Sequence, residues 1–273
     1  MLKPIVLLSV TIFMSFQLLE LPQCWADQLC DDDDGQYRKR LLSANDDDVI
    51  AALNGLDGLD DKVATALKEH IIRLVVNPNP KIRTQTARLL RKVKEHSAEV
   101  ARAFQNLLDD KESTVLYETL SSLSQSKFDW GKEERIKLSK RVGVLMQHQQ
   151  PILGIHAAKT LLRIDSADTG SMLHLRKLLA HPRVDVQCES AKVIAGEGRR
   201  IIGFIMEDCK ESMNPQYKLN VIDVLGVICV TDSGAVDQVV PFLARFNKDN
   251  DPNVRKHAAF VLMCVTGRAK SGH

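Results

Sequence analysis

Eight histidines and six cysteines are the side chains with which this 273-residue chain could ligate a metal or attack a substrate. Their spacing supports neither. No two cysteines stand at the C-x-x-C separation of a zinc or redox site, and the sequence contains no H-E-x-x-H, no G-x-S-x-G and no phosphate loop. Only His156 and His257 recur at equivalent positions of the pattern described below, and they stand too far apart to converge on one ion. Cys30, Cys188, Cys209, Cys229 and Cys264 are expected to be buried free thiols acting as small apolar residues. Asp31 to Asp34, followed by Gly35, offers carboxylates to a hard cation. It lacks the alternating spacing and closing glutamate of a calcium loop, so it reads as a solvated leader. No metal and no cofactor is expected.

What remains is a set of cations. Arg88, Lys159 and Lys192 each stand six residues after an apolar anchor, and Arg91, Lys92 and Arg163 stand nine or ten after one. The anchors belong to stripes with apolar or small residues at offsets 0, +4, +5 and +8, which is the period of a helix buried along one side. The clearest stripe is Val254/Ala258/Ala259/Leu262, and the others start at Ile82, Val115, Leu153, Val186 and Tyr217. At 100° per residue the opposite side is +2, +3, +6, +9, +10 and +13, so the cations should project from one face. Position +6 reads Arg88, Ser121, Lys159, Lys192, Asp223 and Phe260 along the chain.

The anchors are 31 to 38 residues apart, a period that marks stacked supersecondary units. Pro80, Pro151, Pro182, Pro215 and Pro252 lie in or beside the turns that precede the stripes, where a missing N–H is tolerated. NPKIRTQTARLL and DPNVRKHAAFVL, with their Asn/Asp-Pro turn, branched residue, arginine and small pair, resemble the HEAT-repeat family, most closely its short bacterial HEAT-like form. LGIHAAKTLL and VQCESAKVI resemble it less closely. The likeness covers roughly residues 60 to 267. It implies an all-α fold, a right-handed α-solenoid of about six HEAT-like helix pairs with an N-terminal helical cap over 37–52. It also implies that the second helices line the concave side, and that Arg83 and Arg255 are structural arginines bonded to neighbouring turns. HEAT-like relatives include lyases, so a lyase-type enzyme is the alternative to a binding scaffold.

The first helices are expected at 61–77, 97–110, 132–148, 166–180, 197–212 and 233–248, with a kink at Pro241 in the last of them. The second helices should begin near 81, 112, 150, 184, 215 and 252. No linker divides the chain, so 49–273 reads as one solenoid with its cap, preceded by an acidic polar leader over 27–48. Residues 1–26 have the form of a secretory signal: Lys3, an apolar run to Leu19, then small residues Cys24 and Ala26. That predicts an exported protein, periplasmic or secreted. The rival is a retained membrane anchor, although the run is short of the ~20 apolar residues a span needs.

Lysine plus arginine number 37 against 35 acidic residues, and aromatics are 5% of the chain. Neither suits a nucleic-acid platform. The expected function is therefore a non-enzymatic scaffold that binds a protein or another extended anionic partner along the concave face. Arg88, Lys92, Lys159, Arg163 and Lys192 are the candidate partner-binding residues.

Overall fold

The structure is a computed structural model, and it describes residues 35–94, 97–126, 130–166 and 168–271. The expected signal segment, Cys24, Cys30 and the run Asp31–Asp34 lie outside the described residues. Within them the chain is helical and contains no strand.

Residues 35–41 form α1, and Asp46–Asp57 form α2. The acidic triplet Asp46, Asp47 and Asp48 is the first turn of α2, capped by Asn45, and complements the helix dipole there. Helix pairs follow. The first helices are α3 and α4 (Asp61–Ala66, Lys68–Arg73), α6 (Ala98–Leu108), α8 (Lys132–Leu145), α10 (Thr169–Leu178), α12 (Ile202–Glu211) and α14 (Val236–Arg245). The second helices are α5 (Pro80–Leu90), α7 (Ser113–Gln125), α9 (Pro151–Ile164), α11 (Val184–Gly196), α13 (Pro215–Thr231) and α15 (Pro252–Ser271).

Every second helix begins within a residue or so of its expected start, because the turn chemistry is local. Pro80, Pro151, Pro215 and Pro252 open their helices. Asn79, Asn214 and Asp251 accept from the free N–H groups of the first turn. The first helices are less regular than expected. The one expected over 61–77 breaks at Leu67, where the Thr65 hydroxyl donates to the Asp61 carbonyl and accepts from the Lys94 N–H. Back-bonding of this kind bends a helix. Short 3₁₀ turns flank α14 and precede α12. Helix α14 runs through Pro241 without a break; Pro241 is exposed, so the carbonyl it leaves unbonded can face water.

The stripes are the core. All six anchors and all six +4 residues are buried. Thr86 and Thr119 donate their hydroxyls to the carbonyls of Ile82 and Val115 (2.8 and 2.7 Å), so these polar atoms are satisfied inside the helix. Each second helix packs directly on the next, and α2 packs on α5 in the place a preceding repeat would take. First helices beyond α8 scarcely meet one another, so the stack is tightest along the second helices, the row that the resemblance puts on the concave side. This is an α-solenoid with its N-terminal cap.

Helix α9 is the shared member of the stack. Leu153, Ala157 and Leu161 close the core that runs back to Leu41, while Ile155, Ala158 and Leu162 open the core that runs on to Val265. Its contact with α11 is slighter than its contact with α7.

Candidate binding face

Burial on three sides narrows what each second helix shows to solvent. Its own first helix, the preceding second helix and the following one cover most of its circumference, and +3 and +9 are often lost to them. His156 (+3) and Leu162 (+9) are both buried. What stays open on the concave face is chiefly +6 and +10. On α13, for example, only Asp223, Val227 and Val230 are exposed between 221 and 230.

That strip changes character along the stack. On α5 its cations are engaged. Arg88 forms a two-pronged pair with Glu118 of α7, its Nε and Nη2 each 3.1 Å from a carboxylate oxygen. The pair raises the Arg88 pKa, chiefly through that hydrogen bond. Lys92 donates to the carbonyl oxygens of Asp57 and Leu59 (3.1 Å for Leu59), closing the end of α2. Arg91 joins Gln125 (2.7 Å) and Asp57 (3.5 Å). On α9, Lys159 is half-buried and Arg163 exposed, and among the described residues no carboxylate pairs with either. On α11, Lys192 is exposed and, among the described residues, pairs with Glu189 of its own helix, at 3.2 Å. From α13 onward the strip is mostly apolar: Val227, Val230, Phe260 and Met263 are 49%, 47%, 57% and 64% exposed. Cys264 is exposed there too.

The five candidate cations therefore share a face but not a condition. Arg88 and Lys92 hold repeats together, and Lys159, Arg163 and Lys192 are presented around α9 and α11. Sequence reading missed the apolar section, although Phe260 stood at +6; reading +10 through to Val227 and Cys264 would have found it. The thiols also divide. Cys209 and Cys229 are buried as expected, whereas Cys188 and Cys264 are exposed, because they fall on the sides that packing leaves open. Burial, followed by nearby Asp232, pushes the Cys229 thiol up to about 11, out of the reactive range.

Between α9 and α11, His156 lies edge-on to Tyr117 (4.5 Å between ring centres) and 3.8 Å from Glu189. Burial holds its pKa below the usual imidazole range, against the pull of Glu189. His257 bonds Asp223 across α13 and α15 at 2.6 Å. Among the described residues no three His, Cys, Asp or Glu side chains converge as metal ligands would. No described helix is long and apolar enough to cross a membrane.

The expected structural arginines are in place. Arg83 clamps Asp110 of the next turn through Nε and Nη2 (2.6 and 2.9 Å) and also donates to the carbonyls of Asn77 and Pro78. Arg255 donates to the carbonyls of Asp249 and Asn250 (2.7 and 2.9 Å). Lys218, at the same register, reaches Asp249 at 2.7 Å.

No family model matches the sequence, and no curated protein matches it. Among known structures the chain is similar to part of a homology model of the full-length AP-3 complex in an intermediate open conformation. The TM-score is 0.54 at 18% identity, over 87% of this chain and 45% of that one. It is also similar to the archaeal HEAT-like repeats protein from Thermococcus onnurineus NA1, with TM-score 0.40, 13% identity, and 86% and 97% of the two chains. A third likeness is to the complex of CpcE and CpcF of phycocyanin lyase from Nostoc sp. PCC7120, with TM-score 0.47, 14% identity, and 94% and 99% covered. At these identities the likeness is one of fold alone, an α-solenoid.

Proposed function

We propose that this HEAT-like solenoid is a non-enzymatic scaffold that holds another protein along its concave face. The observation that carries the reading is the exposed strip of the second helices. Its α9–α11 section carries cations and its α13–α15 section carries large apolar side chains that intramolecular packing does not use. Exposed apolar side chains that adjoin one another mark an interaction surface, and a solenoid builds such a surface by repetition, without a catalytic constellation. The cationic section favours a partner with anionic groups there.

A photo-cross-linking amino acid placed at Gln125, Lys159 or Phe260, compared with Arg102 or Lys177 on the first helices, tests the face. Discrete cross-linked species at the second-helix positions alone are expected in the native host. Equal cross-linking from both sets, or from neither, overturns the assignment. Replacing Arg88, Lys159 and Lys192 with glutamine should weaken capture and its salt sensitivity through Lys159 and Lys192, since Arg88 is already spent on Glu118.

Export completes the proposal and rests on the N-terminal 26 residues. Mass spectrometry of the mature protein should find a chain that starts after Ala26. A chain that starts at Met1 refutes cleavage and favours a membrane tether.

A further inference from the structure

Two independent features of the α9–α15 section point to one kind of occupant. The first is a groove. Facing α13, helix α11 presents the small residues Ala191 and Ala195, and the space left between the two helices is about 610 Å³, lined mainly by apolar atoms that include Val224 and Val227. Gly198, in the left-handed conformation (φ 61°), turns the chain away at the rim of this groove. Helices α13 and α15, by contrast, meet closely: a Cβ on Gly226 would come within 2.7 Å of the Val261 side chain, while Phe260 on α15 stays exposed. The second feature is charge. Lys159 and Arg163, two helices before α13, have no carboxylate partner among the described residues, and Lys192 on the groove wall shares Glu189 with His156. Asp223, the acidic residue lining the groove, is bonded to His257 on the side away from α9.

Resting on the binding-face reading above, we propose that the section from α9 to α15 binds a peptide segment of a partner protein with acidic residues at one end and large apolar side chains at the other. The acidic end lies over Lys159 and Arg163. The apolar side chains fill the α11–α13 groove and cover Phe260. Helices packed ~8–10 Å apart put Val227 roughly 20 Å from Lys159, the reach of about six extended residues, which sets the spacing between the two ends of the segment. A basic segment is disfavoured by the cations on α9, and a wholly acidic one leaves the groove unfilled.

Four immobilised pools of 14-residue synthetic peptides test this with the purified protein: acidic–apolar, basic–apolar, acidic–polar and neutral–apolar, each with a six-residue spacer. The acidic–apolar pool should retain the protein about tenfold better than any other, and that preference should fall about fivefold or more with Val227→Lys or Lys159→Glu. Both residues point to solvent at least in part, and circular dichroism checks that both variants stay folded. Equal retention on all pools that is still lost in Val227→Lys overturns the acidic–apolar assignment and leaves the binding face standing. Retention on the basic–apolar pool, or retention unchanged in both variants, overturns it as well. No retention on any pool overturns the assignment and the binding face together.

Discussion

Helices α5 and α13 occupy the same register and offer the same two positions to the concave face, yet one is closed and the other open. On α5 both positions carry cations, and the neighbouring repeats use them: Glu118 takes Arg88, and the carbonyls at the end of α2 take Lys92. On α13 the +6 residue Asp223 is bonded to His257, but Val227 and Val230 have only solvent before them. The difference teaches that exposure and availability are separate properties. A charged side chain on a repeat surface finds a partner one repeat away whenever the register brings a carboxylate or carbonyl within reach. An exposed valine has no such outlet, so the apolar residues mark what the fold has left unspent.

The largest disturbance of this contrast should come from Gly226→Val, which forces a side chain into the Val261 contact that seals α13 against α15. A loss of about 1–3 kcal/mol is expected, from overpacking and strain at a close contact. In hydrogen exchange it should register as faster opening of α13–α15 while α5–α7 stays protected, because repeats contact only their neighbours. Uniform opening of both ends breaks the picture. Next, Glu118→Ala unlocks the closed end. A part-buried two-pronged pair is worth about 1 kcal/mol, visible in the urea midpoint. The freed Arg88 should also give the α5 surface a salt-sensitive affinity for a polyanion greater than that of the native protein.

A third measurement concerns the boundary between the two ends. His156 and His174 are both held below the ordinary imidazole value, mainly by burial, so the unfolded chain takes up protons first as pH falls. Their neutral forms support the fold fully above about pH 6.5, the unfolded value, and that support is lost as pH drops from there through the folded values. The urea midpoint should decline between pH 7 and pH 5, and less steeply in His156→Gln. The smallest effect is expected from Ala259→Leu, within about 0.5 kcal/mol, although the equivalent Ala87→Leu should cost about 1–3 kcal/mol. Ala87 is buried where α5 meets α7, and Ala259 is exposed because, among the described residues, no helix packs on that side of α15. A large loss from Ala259→Leu would show that the last stripe packs like the inner ones.

That alanine also shows what was legible in the sequence. The stripe at 0, +4, +5 and +8 located every second helix, since helix periodicity and Asn/Asp-Pro caps act over a few residues. It placed Ala258 and Ala259 together at a contact, but the pattern alone does not say that +5 needs a following repeat to bury it. The cations were placed on the correct face for the same local reason. Their pairing was illegible: Arg88 and Glu118 are 30 residues apart, and their meeting depends on how one helix pair docks on the next. Val227 and Val230 were hidden differently. Helix α13 is apolar nearly all round, so its sequence does not separate the valines that pack from those that face water.

Because α9 lends one side to each of the two cores, the molecule has the mechanics of two stiff segments joined at a shallow joint. Bending should concentrate between α9 and α11, the consecutive second helices with the slightest contact, while the rest of the second-helix row resists it. The radius of the inner curve is then set at one place in the chain, beside the cations, and an occupant that spans both segments would act as a strut. Pulled from its ends, such a body should yield in two steps, with α9 as the boundary.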